Sequence, residues 1–428
     1  MDEIADVIER HDNHHEATQR IDRVQASFHA RIIAAEARIR AVDLRKEILN
    51  VAESPMVQIA TIAESMPGSL KLCYGESDLP TPAFICDAAT EAMRAGHTFY
   101  THTAGYPELR QAIAAKIFEQ HQVRYDVPEI MATTGGTMAI YAAIRALVGN
   151  GDNAVIVSPA YAIFSNAVIM CGGEPRPASL ARSGDRFVLD LDRVRSAIDA
   201  NTRMLIVNSP SNPTGWVIDR DEQRALAEIA GRHDLVILAD EVYERLVYDG
   251  RSIAPSFARI EADRDRLIIV NSFSKTYNMT GWRLGWAQTS ARTITAMHKA
   301  VEFMTSNPAA MVQQAGIVAL RDGEPYIAEL RENYRRRRDQ VTAALNAMPG
   351  VSLPDPQGAF YAFPKFSDIT DSKSFTAELV RETGVALAPG VGFGRDGEGY
   401  IRVCFASTET TISEALKRLE KFLMTKRG

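Results

Sequence analysis

The chain has 428 residues, of which 46% are apolar and 24% charged, and its formal net charge is −6. This composition is ordinary for a globular protein with a large core, and the negative charge argues against general binding to nucleic acid or anionic membranes. No apolar stretch is long enough to cross a bilayer, and the acidic N-terminus lacks a signal-peptide core, so we expect a cytoplasmic protein. The scattered cysteines Cys73, Cys86, Cys171 and Cys404 favour reduced buried thiols over a metal site.

Residues 1–44 differ in character from the rest of the chain. Apolar side chains recur there every three or four positions, which predicts one long amphipathic helix from about Glu16 to Ala41. The apolar positions are Ile21, Val24, Phe28, Ile32, Ala35, Ile39 and Val42. We interpret His11, His14 and His15 as part of an exposed polar leader, because no carboxylate–histidine arrangement at helical spacing accompanies them.

Further along, short apolar runs alternate with helical patterns. The runs cover residues 154–157, 204–207, 235–238 and 267–270. This alternation predicts an α/β fold whose mainly parallel sheet is covered by helices on both faces. Such sheets bind ligands at the carboxyl ends of their strands. The polar candidates that follow these strands are Tyr161, Asn212, Asp240 and Lys275.

The last of these strands leads into the motif Ser272-x-Ser274-Lys275, which is followed by Gly281 and Arg283. A lysine that acts as an amine nucleophile must lose its proton, and an arginine binds phosphate oxygens through two parallel hydrogen bonds. An amine beside a phosphate clamp is what pyridoxal 5'-phosphate (PLP) requires. We expect Lys275 to lie in a short polar loop, and the alternative is a lysine that is merely solvated there.

A glycine turn provides a second candidate for anion binding. Gly135, Gly136 and Thr137 lie between a predicted strand and a helix predicted over residues 139–148. Glycines let the backbone approach an anion, and the start of a helix presents free N–H groups to it. Taken alone, the turn is equally compatible with an ordinary strand–helix connection.

Together these motifs resemble the class I aminotransferases, in the aspartate/aromatic/alanine branch of the fold type I PLP enzymes. The resemblance covers about residue 45 to the C-terminus and includes the stretch Asn-Ser-Pro-Ser-Asn-Pro-Thr-Gly at 208–215 and Ala-Asp-Glu-Val-Tyr at 239–243. In the loop at 75–82, Ser77 replaces a proline of the family pattern. The resemblance implies a large PLP-binding domain and a smaller α+β domain. It also implies PLP as cofactor and an amino acid and a 2-oxo acid as substrates of a homodimer.

The resemblance also assigns residues to the cofactor. Lys275 would bind PLP as a Schiff base and carry the proton between the substrate Cα and the cofactor, while Asp240 would pair with the pyridine nitrogen. Asn212 and Tyr243 would hydrogen-bond to the phenolate oxygen. Tyr161 would stack on the ring, with a core aromatic as the alternative.

The remaining assignments concern the phosphate and the substrate. The resemblance implies a phosphate site formed by Gly135, Gly136, Thr137, Ser272 and Arg283, with Tyr100 reaching the phosphate of the neighbouring subunit. The implied substrate site consists of Arg402, which would bind the α-carboxylate, and of Asn212, Gly75 and Phe360. A surface salt bridge is the alternative for Arg402, and no metal site is expected.

The resemblance and the separate character of residues 1–44 together predict four parts of the chain. We predict a helical extension over 1–44, an arm of the small domain over 45–80, the large domain over 81–325 and the small domain over 326–428. The run Arg335–Arg338 in the last part is interpreted as a solvated helix face, because acidic residues accompany it, rather than as a nucleic-acid site.

Several activities remain compatible with these motifs. The first is transamination, and a C–S β-lyase, a cyclase or an oxidase would share its motifs. A PLP-sensing transcription regulator is a remote alternative, because residues 1–44 are too short and too acidic for a winged helix. In one branch of acidic-substrate relatives a lysine stands where Thr137 stands here. We therefore expect a pocket containing Tyr161, Phe360 and Tyr361 to accept neutral or aromatic amino donors as well as aspartate.

The apolar stripe of the predicted N-terminal helix generates a first prediction. Burial of such side chains is favourable by roughly 1.5–3 kcal/mol each, so the stripe is expected to pack against a second subunit, and its spacing permits a helix pair between dimers. Deletion of residues 1–44 should weaken or change the oligomer while Lys275 still binds PLP. Light scattering on a dilution series measures this, and an unchanged oligomer would instead indicate a cover over the helix's own domain.

Overall fold

The computed structural model describes residues 44–260 and 263–427. The predicted N-terminal helix and its histidines lie outside the described residues. The chain divides into two compact units, Met1–Leu49 and Asn50–Gly428. Of the first unit only a short helix, α1 (Lys46–Leu49), is described. Everything below concerns the second unit.

The strands of the second unit range from two to seven residues in length. In chain order they are β1 (Leu70–Lys71), β2 (Ile130–Thr133), β3 (Asn153–Ser158), β4 (Glu174–Ser179), β5 (Ala181–Ser183), β6 (Arg186–Val188), β7 (Thr202–Asn208), β8 (Val236–Asp240), β9 (Leu267–Ser272), β10 (Gly285–Gln288), β11 (Val351–Ser352), β12 (Tyr361–Ala362), β13 (Lys365–Phe366), β14 (Val385–Ala386), β15 (Ala388–Pro389) and β16 (Ile401–Cys404).

Helices separate most of these strands. They are α2 (Pro55–Glu64), α3 (Ala83–Arg94), α4 (Pro107–His121), α5 (Gly136–Leu147), α6 (Ile163–Met170), α7 (Leu191–Ala197), α8 (Arg220–Arg232), α9 (Phe273–Thr276), α10 (Ala291–Glu302), α11 (Ala310–Asp322), α12 (Glu324–Ala347), α13 (Ser372–Thr383) and α14 (Glu409–Arg427). Helix α5 begins at Gly136, three residues earlier than predicted, so the glycine turn itself forms the helix start.

A seven-stranded sheet in the order β2-β10-β9-β8-β7-β3-β4 forms the centre of the unit. Neighbours from β9 to β4 run parallel, and β10 is antiparallel to both β9 and β2. The prediction of a mainly parallel α/β sheet is therefore confirmed. The four predicted apolar runs all form strands of this sheet.

Alternate residues of the central strands belong to different hydrophobic clusters. Val155, Leu205 and Ile237 lie in one cluster, whereas Ala154 and Met204 lie in another. Because successive side chains of a strand point to opposite faces, both faces of the sheet are buried. Burial on two faces explains why these strands appear in the sequence as continuous apolar runs.

Two strands of the central sheet were not predicted. Strand β4 contains Pro175 and Pro177, and β10 is only four residues long. Proline cannot donate a hydrogen bond to a neighbouring strand, so it is confined to positions such as a sheet edge. Strand β4 occupies the edge beside β3, where its free side needs no donors.

The C-terminal part of the chain packs around a second core. One hydrophobic cluster joins Tyr243 to Tyr361, Phe405 and Leu419. The predicted domain boundaries at 80 and 325 stay a prediction, since Asn50–Gly428 forms a single compact unit.

The arginine run lies on α12, as predicted, but its members differ. Arg335 pairs with Glu332 and Asp339 on the exposed face. Arg337 is only 8% exposed and binds Asp78, 3.1 Å away, so this member of the run is not part of a solvated face.

Within the described ranges 44–260 and 263–427, no helix combines the length and apolar character needed to cross a bilayer. The same residues contain no cluster of histidine, cysteine or acidic side chains suited to a metal ion.

Candidate active site

A cavity of about 470 Å³ opens at the carboxyl ends of β7, β8 and β9. Eleven of the predicted site residues line it, which are Gly75, Gly136, Thr137, Tyr161, Asn212, Asp240, Tyr243, Ser272, Lys275, Arg283 and Arg402. They come from seven separate parts of the chain. The parallel sheet brings together the residues that follow its strands because the strand ends share one edge, whereas Gly75 and Arg402 come from outside this sheet.

The sequence predicts a short polar loop around Lys275, but this residue lies on the short helix α9. Ser272 begins this helix, and its hydroxyl oxygen accepts a hydrogen bond from the backbone N–H of Ser274 at 3.1 Å. Such a capping bond favours a helical turn in four residues that lack an apolar period. The helix directs the Lys275 amine to the carbonyl oxygen of Gly75, 2.6 Å from Nζ.

Burial of this amine lowers the pKa of Lys275 to about 8, with the positive charges of Arg402 and Arg283 acting in the same direction. Removal from water disfavours the charged form of any amine. Lys275 is therefore available as a neutral nucleophile near physiological pH, which an ordinary lysine is not.

Asp240 is the last residue of β8 and is 5% exposed. Burial raises the pKa of its carboxyl group to about 7. One carboxylate oxygen accepts a hydrogen bond from the backbone N–H of Val242 at 3.2 Å, and no cationic side chain of the described residues forms an ion pair with it. A buried carboxyl group without a cation suits a protonated ring nitrogen as its partner.

The glycine turn and Arg283 form one end of the cavity. Gly135 has φ +85°, and a Cβ built on it would lie 2.3 Å from Nη2 of Arg283. The guanidinium group therefore packs directly on the bare Cα. The α5 start at Gly136 supplies unpaired backbone N–H groups, so this end fits a phosphate group. Gly135 supports this end without lining the cavity.

Arg402 lies on β16 with 1% of its surface exposed, which excludes a surface salt bridge. Its Nη1 donates to Oδ1 of Asn212 at 2.9 Å, and its Nη2 donates to the carbonyl oxygen of Cys73. Its Nε is buried and has no hydrogen-bond partner among the described residues. A buried unpaired N–H is unfavourable, and a carboxylate in the cavity would satisfy it.

Tyr243 and Tyr361 form an aromatic wall. Their hydroxyl oxygens are 2.8 Å apart, and burial raises the pKa of both phenols far enough to keep them protonated. The guanidinium carbon of Arg402 lies 4.5 Å from the centre of the Tyr361 ring. Tyr361 therefore contacts both Tyr243 and Arg402 in the candidate substrate site.

Phe360 is not among the cavity residues, and this differs from the expectation. Its ring packs edge-on against Tyr243 with centroids 5.3 Å apart, while Tyr361 lines the cavity in its place. Phe360 lies in the turn that precedes β12, and its ring contacts that of Tyr361 with centroids 4.7 Å apart. The sequence contained both aromatic residues but not which of them faced the cavity.

Tyr100 also lies away from the cavity, with 90% of its surface exposed. Additional apolar lining residues were not predicted, and they are Met56, Val57, Tyr74, Ile140 and Ile163. Ile140 follows Thr137 by one helical turn of α5, so its position could have been found from the predicted helix. The others depend on packing between distant segments.

The chain is similar to known proteins over most of its length. The family model "Aminotransferase class I and II" matches residues 67–419. An aspartate aminotransferase of Pyrococcus abyssi is 36% identical over 391 residues, which cover 90% of this chain and 99% of that relative. Aromatic-amino-acid aminotransferase 2 of Thermococcus litoralis is 35% identical, with coverage of 90% and 99%.

A solved structure shows the same similarity. The aromatic aminotransferase of Pyrococcus horikoshii superimposes with a TM-score of 0.81 at 35% sequence identity, covering 86% of this chain and 99% of that one. Taken with the family match over residues 67–419, this similarity shows that the chain belongs to the class I and II aminotransferases and is a PLP-dependent transaminase of fold type I.

Proposed function

We propose that this transaminase accepts neutral and aromatic L-amino acids as amino donors, without a strong preference for aspartate, and transfers the α-amino group to a 2-oxo acid in two half-reactions. One observation carries the proposal. The buried amine of Lys275, the carboxyl group of Asp240, which has no cationic partner among the described residues, and the unpaired Nε of Arg402 all belong to residues of one cavity.

PLP supplies an electron sink for the pair of electrons left when the substrate Cα–H bond breaks. The residues present fit this cofactor. Asp240 would hold the ring nitrogen in its protonated form, and Asn212 and Tyr243 would donate hydrogen bonds to the phenolate oxygen. Tyr161, which is 40% exposed beside the cavity, would cover one face of the ring.

The phosphate group would lie at the start of α5. The backbone N–H groups of Gly136 and Thr137, the Ser272 hydroxyl and the Arg283 guanidinium group are the proposed donors. Their cumulative positive potential matches a dianion.

Lys275 performs the proton transfer in this proposal. Its amine would hold PLP and, when free, would accept the proton from the substrate Cα and release it again. The lowered pKa of about 8 brings the amine near the pH at which a general base is most effective. Gly75 orients the amine through its carbonyl oxygen.

Arg402 binds and orients the substrate. Its Nη1 is held by Asn212, and Nε remains free to donate to an α-carboxylate. A fixed carboxylate fixes the direction of the Cα–H bond relative to the ring, which lowers the entropic barrier to proton removal.

The apolar lining supports the proposed donor class. Met56, Val57, Tyr74, Ile140 and Ile163 border the cavity, and its described cations are only Lys275, Arg283 and Arg402. Each of these cations already has a role in the proposal. No described cation is therefore left for the side-chain carboxylate of aspartate.

We also propose a cytoplasmic homodimer with the domain division given above. The exposed pair Phe99 and Tyr100, 79% and 90% exposed, supports an interface at this loop. Tyr100 would then contact the phosphate in the neighbouring subunit. The predicted N-terminal helix would extend the assembly beyond the dimer.

Attachment of the cofactor tests the assignment of Lys275. Borohydride treatment of the yellow holoenzyme should fix PLP to Lys275, as read by peptide mass spectrometry. Because the neutral amine is the nucleophile, the rate of PLP attachment to the apoenzyme should rise with pH and level off above a pKa of about 8. A label on another lysine, or a rate that keeps rising toward the ordinary lysine value of 10.5, would contradict the assignment.

Substitution of the carboxylate-binding residue gives a second test. Arg402→Ala should retain PLP but lose about two to four orders of magnitude in kcat/KM, because removal of one partner from a buried carboxylate pair costs roughly 3–5 kcal/mol. Steady-state kinetics and the visible absorbance of the variant are the measurements. A loss smaller than about tenfold would show that another group binds the α-carboxylate.

Donor specificity tests the substrate class directly. A panel of aspartate, alanine, leucine, phenylalanine and tyrosine, each assayed with 2-oxoglutarate and with pyruvate, should show kcat/KM values for neutral or aromatic donors at least comparable with that for aspartate. A clear preference for aspartate would mean that a cation outside the described lining serves its side chain. Release of ammonia or a thiol without an oxo-acid acceptor would indicate lyase chemistry.

A further inference from the structure

A buried charged network lies behind the turn from Asp240 to Glu244. Asp240 and Tyr243 line the cavity, whereas Glu241 and Glu244 make their side-chain contacts elsewhere. The two glutamates are 3% and 7% exposed. Carboxylates so far from water require specific partners, and the mechanism above uses neither of them.

Glu244 connects two distant elements with its two oxygens. Its Oε2 lies 3.0 Å from Nε2 of His121, the last residue of α4, which is 5% exposed. Its Oε1 accepts a hydrogen bond from Nδ2 of Asn271 at 2.7 Å. Glu244 therefore ties the end of α4 to strand β9.

Asn271 continues the connection toward Lys275. Its Oδ1 accepts a hydrogen bond from the backbone N–H of Ser272 at 2.8 Å, and Ser272 begins the helix that carries Lys275. On the other side, the backbone N–H of Glu241 donates to the carbonyl oxygen of Val270 at 2.9 Å. The turn that carries Asp240 is thus bonded to the strand that leads to Lys275.

The charges in this network depend on one another. Burial by itself lowers the pKa of His121, but the hydrogen bond and charge of Glu244, with the charge of Glu241, raise it above its ordinary value. Arg259 faces the same histidine and opposes this rise, while its Nε donates to the His121 carbonyl oxygen at 2.7 Å. Burial and the neighbouring Glu244 raise the pKa of Glu241 to about 7. A protonated His121 would offset the buried negative charge of Glu244.

We propose that His121 and Glu244 are positioning residues for transamination, which hold Asp240 and Tyr243 in register with Lys275 through Asn271. The pair acts on the cofactor through these residues and does not touch it. This inference rests on the proposed roles of Asp240, Tyr243 and Lys275.

A purely structural ion pair is the competing explanation, and a matched control separates the two. Arg245 follows Glu244 directly and pairs with Glu324 at 2.7 Å. Glu324→Gln therefore weakens an ion pair of the same turn without removing a bond to Asn271 or His121. Loss of stability alone should be common to both substitutions.

The test compares Glu244→Gln with Glu324→Gln and the wild type as complete proteins. The substitution keeps the side-chain shape and removes its charge. We expect the Kd for PLP to rise about tenfold in Glu244→Gln and to change little in Glu324→Gln, as measured by titration of the apoenzyme with PLP. Thermal unfolding of the apoenzymes gives the accompanying change in Tm.

The visible absorbance band of the holoenzyme can be titrated with pH, and the midpoint of this titration does not depend on the stability of the fold. Its midpoint should shift to higher pH in Glu244→Gln, because the nitrogen that joins Lys275 to the cofactor becomes more basic when Asp240 and Tyr243 are displaced. His121→Gln, which keeps an N–H donor but cannot be protonated, should shift Kd and midpoint in the same direction. If Glu244→Gln does not accumulate as folded protein, His121→Gln serves as the test variant.

One outcome would contradict the positioning role, and another would contradict the assignment on which it rests. A lowered Tm with wild-type Kd and midpoint in the substituted proteins would overturn the positioning role and leave a structural pair. Borohydride labelling of the wild type at a lysine other than Lys275 would instead overturn the proposed role of Lys275, whatever the Glu244 variant does.

Discussion

Removal of two ionisable groups from water is the constraint on which the candidate site depends. Burial lowers the pKa of Lys275 to about 8 and raises that of Asp240 to about 7. Both groups are thereby moved toward neutrality in the same pH range, which makes the amine nucleophilic and leaves the carboxyl group ready for a cationic partner. The unpaired Nε of Arg402 adds a third unsatisfied group. In the proposed function, the cofactor and the substrate would supply the partner that each of these groups lacks.

The sheet makes this burial possible. Its parallel strands are covered on both faces, so a polar group at a strand end is enclosed by the loops and helix starts that follow. Close approach at the phosphate end requires residues without side chains. A Cβ on Gly285 would lie 2.6 Å from the backbone nitrogen of Gly136, so the antiparallel strand β10 can press against the start of α5 only at a glycine. The same argument applies to Gly135 beneath Arg283.

The turn from Asp240 to Glu244 directs side chains to two different surroundings. Asp240 and Tyr243 face the cavity, and Glu241 and Glu244 face a buried network with His121 and Asn271. Breaking a buried ion pair is strongly unfavourable, so the network restrains the turn from behind. We infer that these rear contacts hold Asp240 and Tyr243 in the geometry that their proposed roles require.

The amino-acid sequence alone determined the family and the parallel sheet, and eleven of the site residues that it predicts line one cavity. Apolar runs revealed the strands because both faces of the sheet are buried, and the motif around Lys275 revealed the cofactor because phosphate and amine chemistry require those residue types. Only the tertiary structure decided that Tyr361 and not Phe360 lines the cavity, that Lys275 lies on a capped helical turn, and that Arg337 turns inward to Asp78. It also decided that His121 meets Glu244, which is 123 residues away in the chain. Local periodicity carries information about one element at a time, whereas these contacts depend on how distant elements pack against each other.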